Sequence, residues 1–165
     1  MIKLIAFDLD GTLLTYDKHV TDRTRQTLAK AAAAGIECVP ITGRPYSALP
    51  AEVLDLPGVN YVVAASGADI RDNRSGEILK KDLIDKNLIV EILTLLRNNG
   101  YVTMAFMDSR GYVEKEDFKK ALDWALDGPF REYFLKNRTP VDDLIGMVRD
   151  YPEDIEKFTV NLPKD

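Results

Sequence analysis

A single cysteine and a single histidine in 165 residues exclude the chemistries that need several of either. An internal disulfide needs two cysteines, and a zinc site or a His-based triad needs more than Cys38 and His19 can supply. Cys38 lies in the apolar run of residues 35–39, so a packed core thiol is expected rather than a reactive one, and its isolation fits a reducing cytoplasm. His19 lies in the polar stretch 15–21 and reads as a surface-loop residue. Positive charge is also short. Twenty-two Lys and Arg face 27 Asp and Glu, and the net charge of −5 argues against nucleic acid or an anionic membrane surface as partner. No apolar run reaches the length of a membrane span. The opening run 2–7 is interrupted by Lys3 and passes directly into acids, so no signal peptide is expected and the expected location is the cytoplasm. No Gly-x-Gly-x-x-Gly follows the first strand, which removes the usual dinucleotide fingerprint.

What remains is an ordinary globular composition, 45% hydrophobic and 30% charged. Residues 2–7 read as a strand apolar on both faces, as buried parallel strands are. Thr21 or Asp22 can cap a helix running to Ala34 and stopped by Gly35. Residues 36–41 form the second strand, a helix with Pro45 in its first turn ends near Leu56, and residues 61–65 form the third strand. Strand, helix, strand, helix, strand predicts right-handed crossovers and a parallel sheet. The pattern then changes. Residues 68–71 and 77–80 flank Asp72-Asn73-Arg74-Ser75-Gly76 as a hairpin, and residues 85–98 carry leucines and isoleucines at helical spacing up to Asn99-Gly100. Strands at 101–106 and 111–114, helices at 117–126 and 130–136, and a last strand at 154–162 complete a second, α+β module that begins after about Asp82.

The stretch Asp8-Leu9-Asp10-Gly11-Thr12 carries the chemistry. A period of two points Asp8 and Asp10 to the same side, where their charges repel and burial raises the cost. A cation between them is therefore expected, and oxygen-only ligation suits Mg²⁺. An Asx turn would explain one Asp and Gly11, but not both acids with Thr12. Thr42-Gly43-Arg44-Pro45 stands at the matching end of the second strand and joins a hydroxyl, an amide and a predicted helix N-terminus, the ingredients of an anion cradle. Alone it would read as an ordinary strand-to-helix turn. Beside the acid pair it describes a phosphoryl-transfer site.

These residues carry a family resemblance. Phe7-Asp8-Leu9-Asp10-Gly11-Thr12-Leu13-Leu14 resembles the first motif of the haloacid dehalogenase-like hydrolases, and Ile41-Thr42-Gly43-Arg44-Pro45 the second motif of their Cof-type branch. Ser66-Gly67-Ala68 is similar to that branch's Asn-Gly-Ala segment, with Ser66 where Asn is usual, and residues 154–162 with Lys157 resemble a strand of its cap domain. The resemblance implies the N-terminal part of a Rossmann-like parallel-sheet α/β core over residues 1–82 and part of an α+β cap over 83–165. It implies a Mg²⁺-dependent phosphatase of small phosphorylated metabolites. Asp8 would be the nucleophile that forms an aspartyl-phosphate, and Asp10 the general acid and base. Asp8 and Asp10, the latter through its carbonyl, would hold the metal. Gly11, Thr42, Gly43 and Arg44 would contact phosphate, although Arg44 could equally pair with a surface acid.

Two family motifs are not found, a lysine that neutralises the phosphate and a Gly-Asp-x-x-x-Asp segment. The Gly-Asp dipeptide does not occur in the sequence. Asp142, Asp143, Asp150 and Asp154 read as solvated acids, and Lys80 and Lys81 close the hairpin. A very poor phosphatase is therefore expected from this chain alone. An open edge on the first strand is expected too, suited to self-association or to a C-terminal fragment. Two readings of other classes stand beside this one. A non-catalytic remnant would bind a phosphorylated ligand or a partner protein. A phosphoacceptor switch domain would need an acid after the third strand, where Ala64-Ala65-Ser66-Gly67 has none. Met104, Phe106, Tyr112 and Trp124 could line a pocket, but core packing is the expectation.

Overall fold

The computed structural model of the chain describes residues 1–124 and 129–161, and the chain divides into two compact units, Met1–Asp82 and Leu83–Asp165. Among the described residues no helix is long and apolar enough to cross a membrane.

The first unit alternates strands and helices. β1 (Leu4–Phe7) pairs in parallel with β2 (Glu37–Pro40), and Ile41 bridges in parallel to Val63 of β3 (Tyr61–Ala64). The crossover between β1 and β2 is α1 (Asp22–Ala33). Thr21 caps it, its hydroxyl accepting from Thr24 N at 3.1 Å, which contributes about 1 kcal/mol. Gly35, in the left-handed region at φ 74°, ends the turn beyond it. Leu28 of α1 joins Leu9, Leu13, Leu14, Cys38, Val53 and Val62 in one buried cluster. Each such leucine contributes about 1.5–3 kcal/mol on leaving water.

Two expectations fail here. The segment after Pro45 is not one helix. A 3-10 turn (Tyr46–Ala48) gives way to a single turn of helix, α2 (Ala51–Leu54), because Pro50 lacks the N–H that a continuous helix would use. β1 is not buried on both faces either. Leu4 is 53% and Ile5 38% exposed, since among the described residues β1 pairs only with β2. The open edge itself matches the sequence reading.

β3 turns back into β4 (Asp69–Asp72), which pairs antiparallel with β5 (Ile78–Lys81). The hairpin loop is held as its sequence suggests, with Asp72 Oδ1 accepting from Arg74 N and Ser75 N.

The second unit is a four-stranded sheet in the order β8 (Arg138–Val141), β7 (Arg110–Glu114), β6 (Val102–Met107), β9 (Lys157–Asn161). α3 (Lys86–Asn98), capped by Asp85, and α6 (Leu144–Asp150), capped by Asp143, pack Ile89, Leu93, Leu144 and Val148 against Ala105 and Met107. α4 (Lys115–Trp124) and α5 (Pro129–Asn137) pack Ala121 and Phe134 against Met104, Phe106 and Val113. β6 is buried along its whole length because both faces are covered. Met104 and Phe106 are therefore core, and Tyr112 packs against the first of these clusters. The Trp124 side chain, Leu126 and Leu162 lie outside what the structure describes. The strand 138–141 and the helix 144–150 were not expected from the sequence. Asp142 and Asp143 are surface acids as expected, Asp143 capping α6 and Asp142 pairing with Lys115 at 2.7 Å.

Candidate active site

Leu9 is fully buried, and this places the acids. With Leu9 anchored in the core cluster, its neighbours Asp8 and Asp10 turn outward at the carboxyl end of β1. The chain then bends sharply. Leu13 N donates to Asp8 O at 3.3 Å, Leu14 N to Leu9 O at 2.9 Å, and Gly11 sits at φ 76°. A side chain at Gly11 would meet open space, so the left-handed backbone alone calls for glycine.

The two carboxylates differ in what they touch. Asp8 is exposed, and among the described residues its carboxylate has neither ion pair nor hydrogen bond. Asp10 is fully engaged. Arg44 Nε donates to Oδ2 at 2.8 Å and Arg44 Nη2 to Oδ1 at 2.7 Å, the bidentate fork of a guanidinium on a carboxylate. Lys18 Nζ donates to Oδ1 at 2.8 Å. Arg44, with Lys18 adding to it, outweighs partial burial and holds the Asp10 carboxyl down at about 2. Nothing in the sequence marks Lys18. It lies in a polar loop, and only the loop's closure brings it to Asp10.

Arg44 is itself buried, with Nη1 donating to Ala48 O at 3.3 Å. The acid it pairs with is the half-exposed Asp10, the predicted general acid. Thr42 is buried beside it. Its amide donates to Val63 O, and its Oγ1 accepts from Arg44 N at 3.2 Å. The hydroxyl proton has no acceptor among the described residues. Ser66 N donates to Thr42 O and Ala65 N to Arg44 O, which ties the loop after β3 to this strand end. That loop is bent hard, with Ala65 at φ 48°, Ser66 at φ 62° and Gly67 at φ 103°. One expected element is missing. Because a 3-10 turn follows Pro45, no helix N-terminus stands over Thr42 and Gly43.

The donor set fits a hard divalent ion. Asp8 offers an uncommitted carboxylate, and the Asp10 carbonyl accepts no backbone hydrogen bond among those described. The Asp10 carboxylate is taken, so the carbonyl is the oxygen on offer there. No cluster of three or more His, Cys, Asp or Glu residues exists among the described residues. Two protein oxygens suit Mg²⁺, which keeps several waters and takes one or two carboxylates.

The chain is similar to known proteins over most of its length. Phosphatase YwpJ of Bacillus subtilis strain 168 is 34% identical over 126 residues, covering 76% of this chain and 44% of its own. Pyridoxal phosphate phosphatase YbhA of Escherichia coli K12 is 27% identical over 110 residues, covering 64% of this chain and 39% of its own. The solved structure of a haloacid dehalogenase-like hydrolase from B. subtilis superposes with a TM-score of 0.71 at 26% identity, over 93% of this chain and 59% of that one. The chain spans 32% to 64% of the length of the curated relatives it matches. A family model described as haloacid dehalogenase-like hydrolase matches residues 5–164, and the chain belongs to that family.

Proposed function

We propose that this chain carries the nucleophile half of a Mg²⁺-dependent phosphatase acting on small phosphorylated metabolites through an aspartyl-phosphate. The observation that carries this reading is the unequal state of two neighbouring acids, Asp8 exposed and uncommitted, Asp10 clamped by Arg44 and Lys18. A nucleophile must be free to attack, whereas its partner must be positioned to exchange a proton. Asp8 Oδ bonds to phosphorus as the bond to the leaving oxygen breaks, and Asp10 gives that oxygen a proton. Asp10 then takes a proton from water as the water oxygen attacks phosphorus, which frees Asp8 and inorganic phosphate. Held at about 2, Asp10 is ready for the second step, and for the first its cations must loosen their hold.

Thr42, through its unclaimed hydroxyl proton, anchors a phosphate oxygen, with Gly11, Gly43 and Arg44 around it. Asp8 and the Asp10 carbonyl would hold Mg²⁺, which would screen the phosphate from the nucleophile's charge. Residues 1–82 form part of the family's core and 83–165 part of its cap, which selects the substrate. The substrate class is inferred from relatives such as the pyridoxal phosphate phosphatase. The single cysteine suits a reducing compartment, which supports a cytoplasmic setting. The exposed edge of β1 is covered in the working protein by another strand, from further chain or from a second copy.

The test is Mg²⁺-dependent hydrolysis of an aryl phosphate by this chain, with Asp8→Asn as control. Slow turnover that requires both Mg²⁺ and Asp8 supports the reading. Turnover that survives Asp8→Asn overturns it. Phosphate binding without any turnover would favour a non-catalytic phosphate binder.

A further inference from the structure

Lys18 adopts φ 65°, in the left-handed region where a lysine costs about 1–2 kcal/mol relative to glycine. A short closed loop holds it there. Lys18 N donates to Thr15 O at 3.0 Å, Thr15 N to His19 O at 2.9 Å, and His19 N to Thr15 Oγ1 at 3.1 Å. A turn of this shape ordinarily takes Gly or Asn at the left-handed position. Strain of this kind persists only where the surroundings hold it, and it clusters at functional sites.

The side chain reaches Asp10, and there the charges do not balance. Lys18 Nζ and Arg44 Nη2 sit 2.8 and 2.7 Å from the same oxygen, Asp10 Oδ1. Two cations thus converge on one carboxylate. An ammonium has three donors, and Asp10 takes the only one with an acceptor among the described residues. A partly exposed pair of this kind contributes only about 0–1 kcal/mol, too little by itself to justify the backbone strain.

We propose that Lys18 is a phosphate-binding residue, its ammonium donating to an oxygen of the phosphoryl group that Asp8 attacks. In the structure the same ammonium rests on Asp10, so a phosphate that binds draws a cation off the proton-transfer group. This rests on the phosphatase reading of the Asp8 site.

The experiment titrates the full chain with inorganic phosphate, following the amide signals of Thr42 and Gly43 by NMR, in the wild type, Lys18→Gly and Lys18→Arg. Glycine relieves the left-handed strain, so a purely loop-holding role predicts that Lys18→Gly folds as stably and binds phosphate as well. A phosphate-binding role predicts equal or higher thermal stability, phosphate affinity at least about tenfold weaker, and substantial recovery in Lys18→Arg. Unchanged affinity in Lys18→Gly overturns the inference for Lys18 alone. Wild-type protein with no response at Thr42 and Gly43 overturns the phosphate-site reading on which it rests.

Discussion

Arg44 grips Asp10 through two parallel hydrogen bonds, Nε to Oδ2 at 2.8 Å and Nη2 to Oδ1 at 2.7 Å, from a side chain only 8% exposed. The family's second motif therefore meets its first as an ion pair.

Replacing Arg44 by Lys keeps the charge but loses the fork, since an ammonium cannot make two parallel bonds from one plane. The Asp10 carboxyl should rise from about 2 toward its ordinary 3.8. Carboxyl-carbon NMR of Asp10 across an acid titration reads this directly. An unmoved midpoint would show that Lys18, not Arg44, governs Asp10.

Stability should depend on pH in a stated direction. The folded-state value of Asp10 lies below its unfolded one, so the unfolded chain binds more protons in between. The cluster's contribution is complete above the ordinary carboxylate range and is lost as pH falls through 3.8 toward about 2. The Asp10 side chain is 41% exposed, so added salt should weaken the effect. Urea midpoints at falling pH should drop more steeply for the wild type than for Asp10→Asn, and parallel curves would contradict this.

Ser66 sits at φ 62° directly after Ala65 at φ 48°. Asparagine tolerates this region better than serine and is the residue the family resemblance expects here. Ser66→Asn should raise stability by about 0.5–1 kcal/mol in thermal or urea unfolding. A loss of stability would mean that the serine side chain makes a contact the strain argument ignores.

In the second unit, Arg138, Gly111, Phe106 and Lys157 face one another in register across all four strands. Arg138 lies over the Phe106 ring, 4.7 Å from its centre, by crossing Gly111. A Cβ at Gly111 would meet Arg138 Cδ at 2.8 Å and Phe106 Cε1 at 3.0 Å. Gly111→Ala should therefore cost about 1–3 kcal/mol. A neutral result would show that Arg138 can leave the ring freely.

The sequence was legible where one residue type answers one local demand. Thr21 and Asp85 at helix starts and Asp72 in the hairpin loop all stand where composition put them. Asp8 and Asp10 were marked by a spacing that leaves only Leu9 to enter the core. The rest depended on contacts between distant residues. Pro50 split the expected helix, a local signal outweighed by the attraction of Pro45 as a helix start. Arg138–Val141 is a short strand with two exposed positions, and its pairing with β7 has no trace in its own pattern. Exposure along β1 could not be read from an apolar run, because what covers a strand is decided by its neighbours. Lys18 was invisible for the same reason, since only the folded loop brings it to Asp10.

The most direct measurement is to locate the phosphoryl group itself. The chain is incubated with an aryl phosphate and Mg²⁺, quenched in acid, and digested for mass spectrometry. A covalent phosphoryl adduct on the peptide holding Asp8, absent from Asp8→Asn, is the predicted result. An adduct on any other residue, or one that persists in Asp8→Asn, would contradict the assignment of Asp8 as nucleophile.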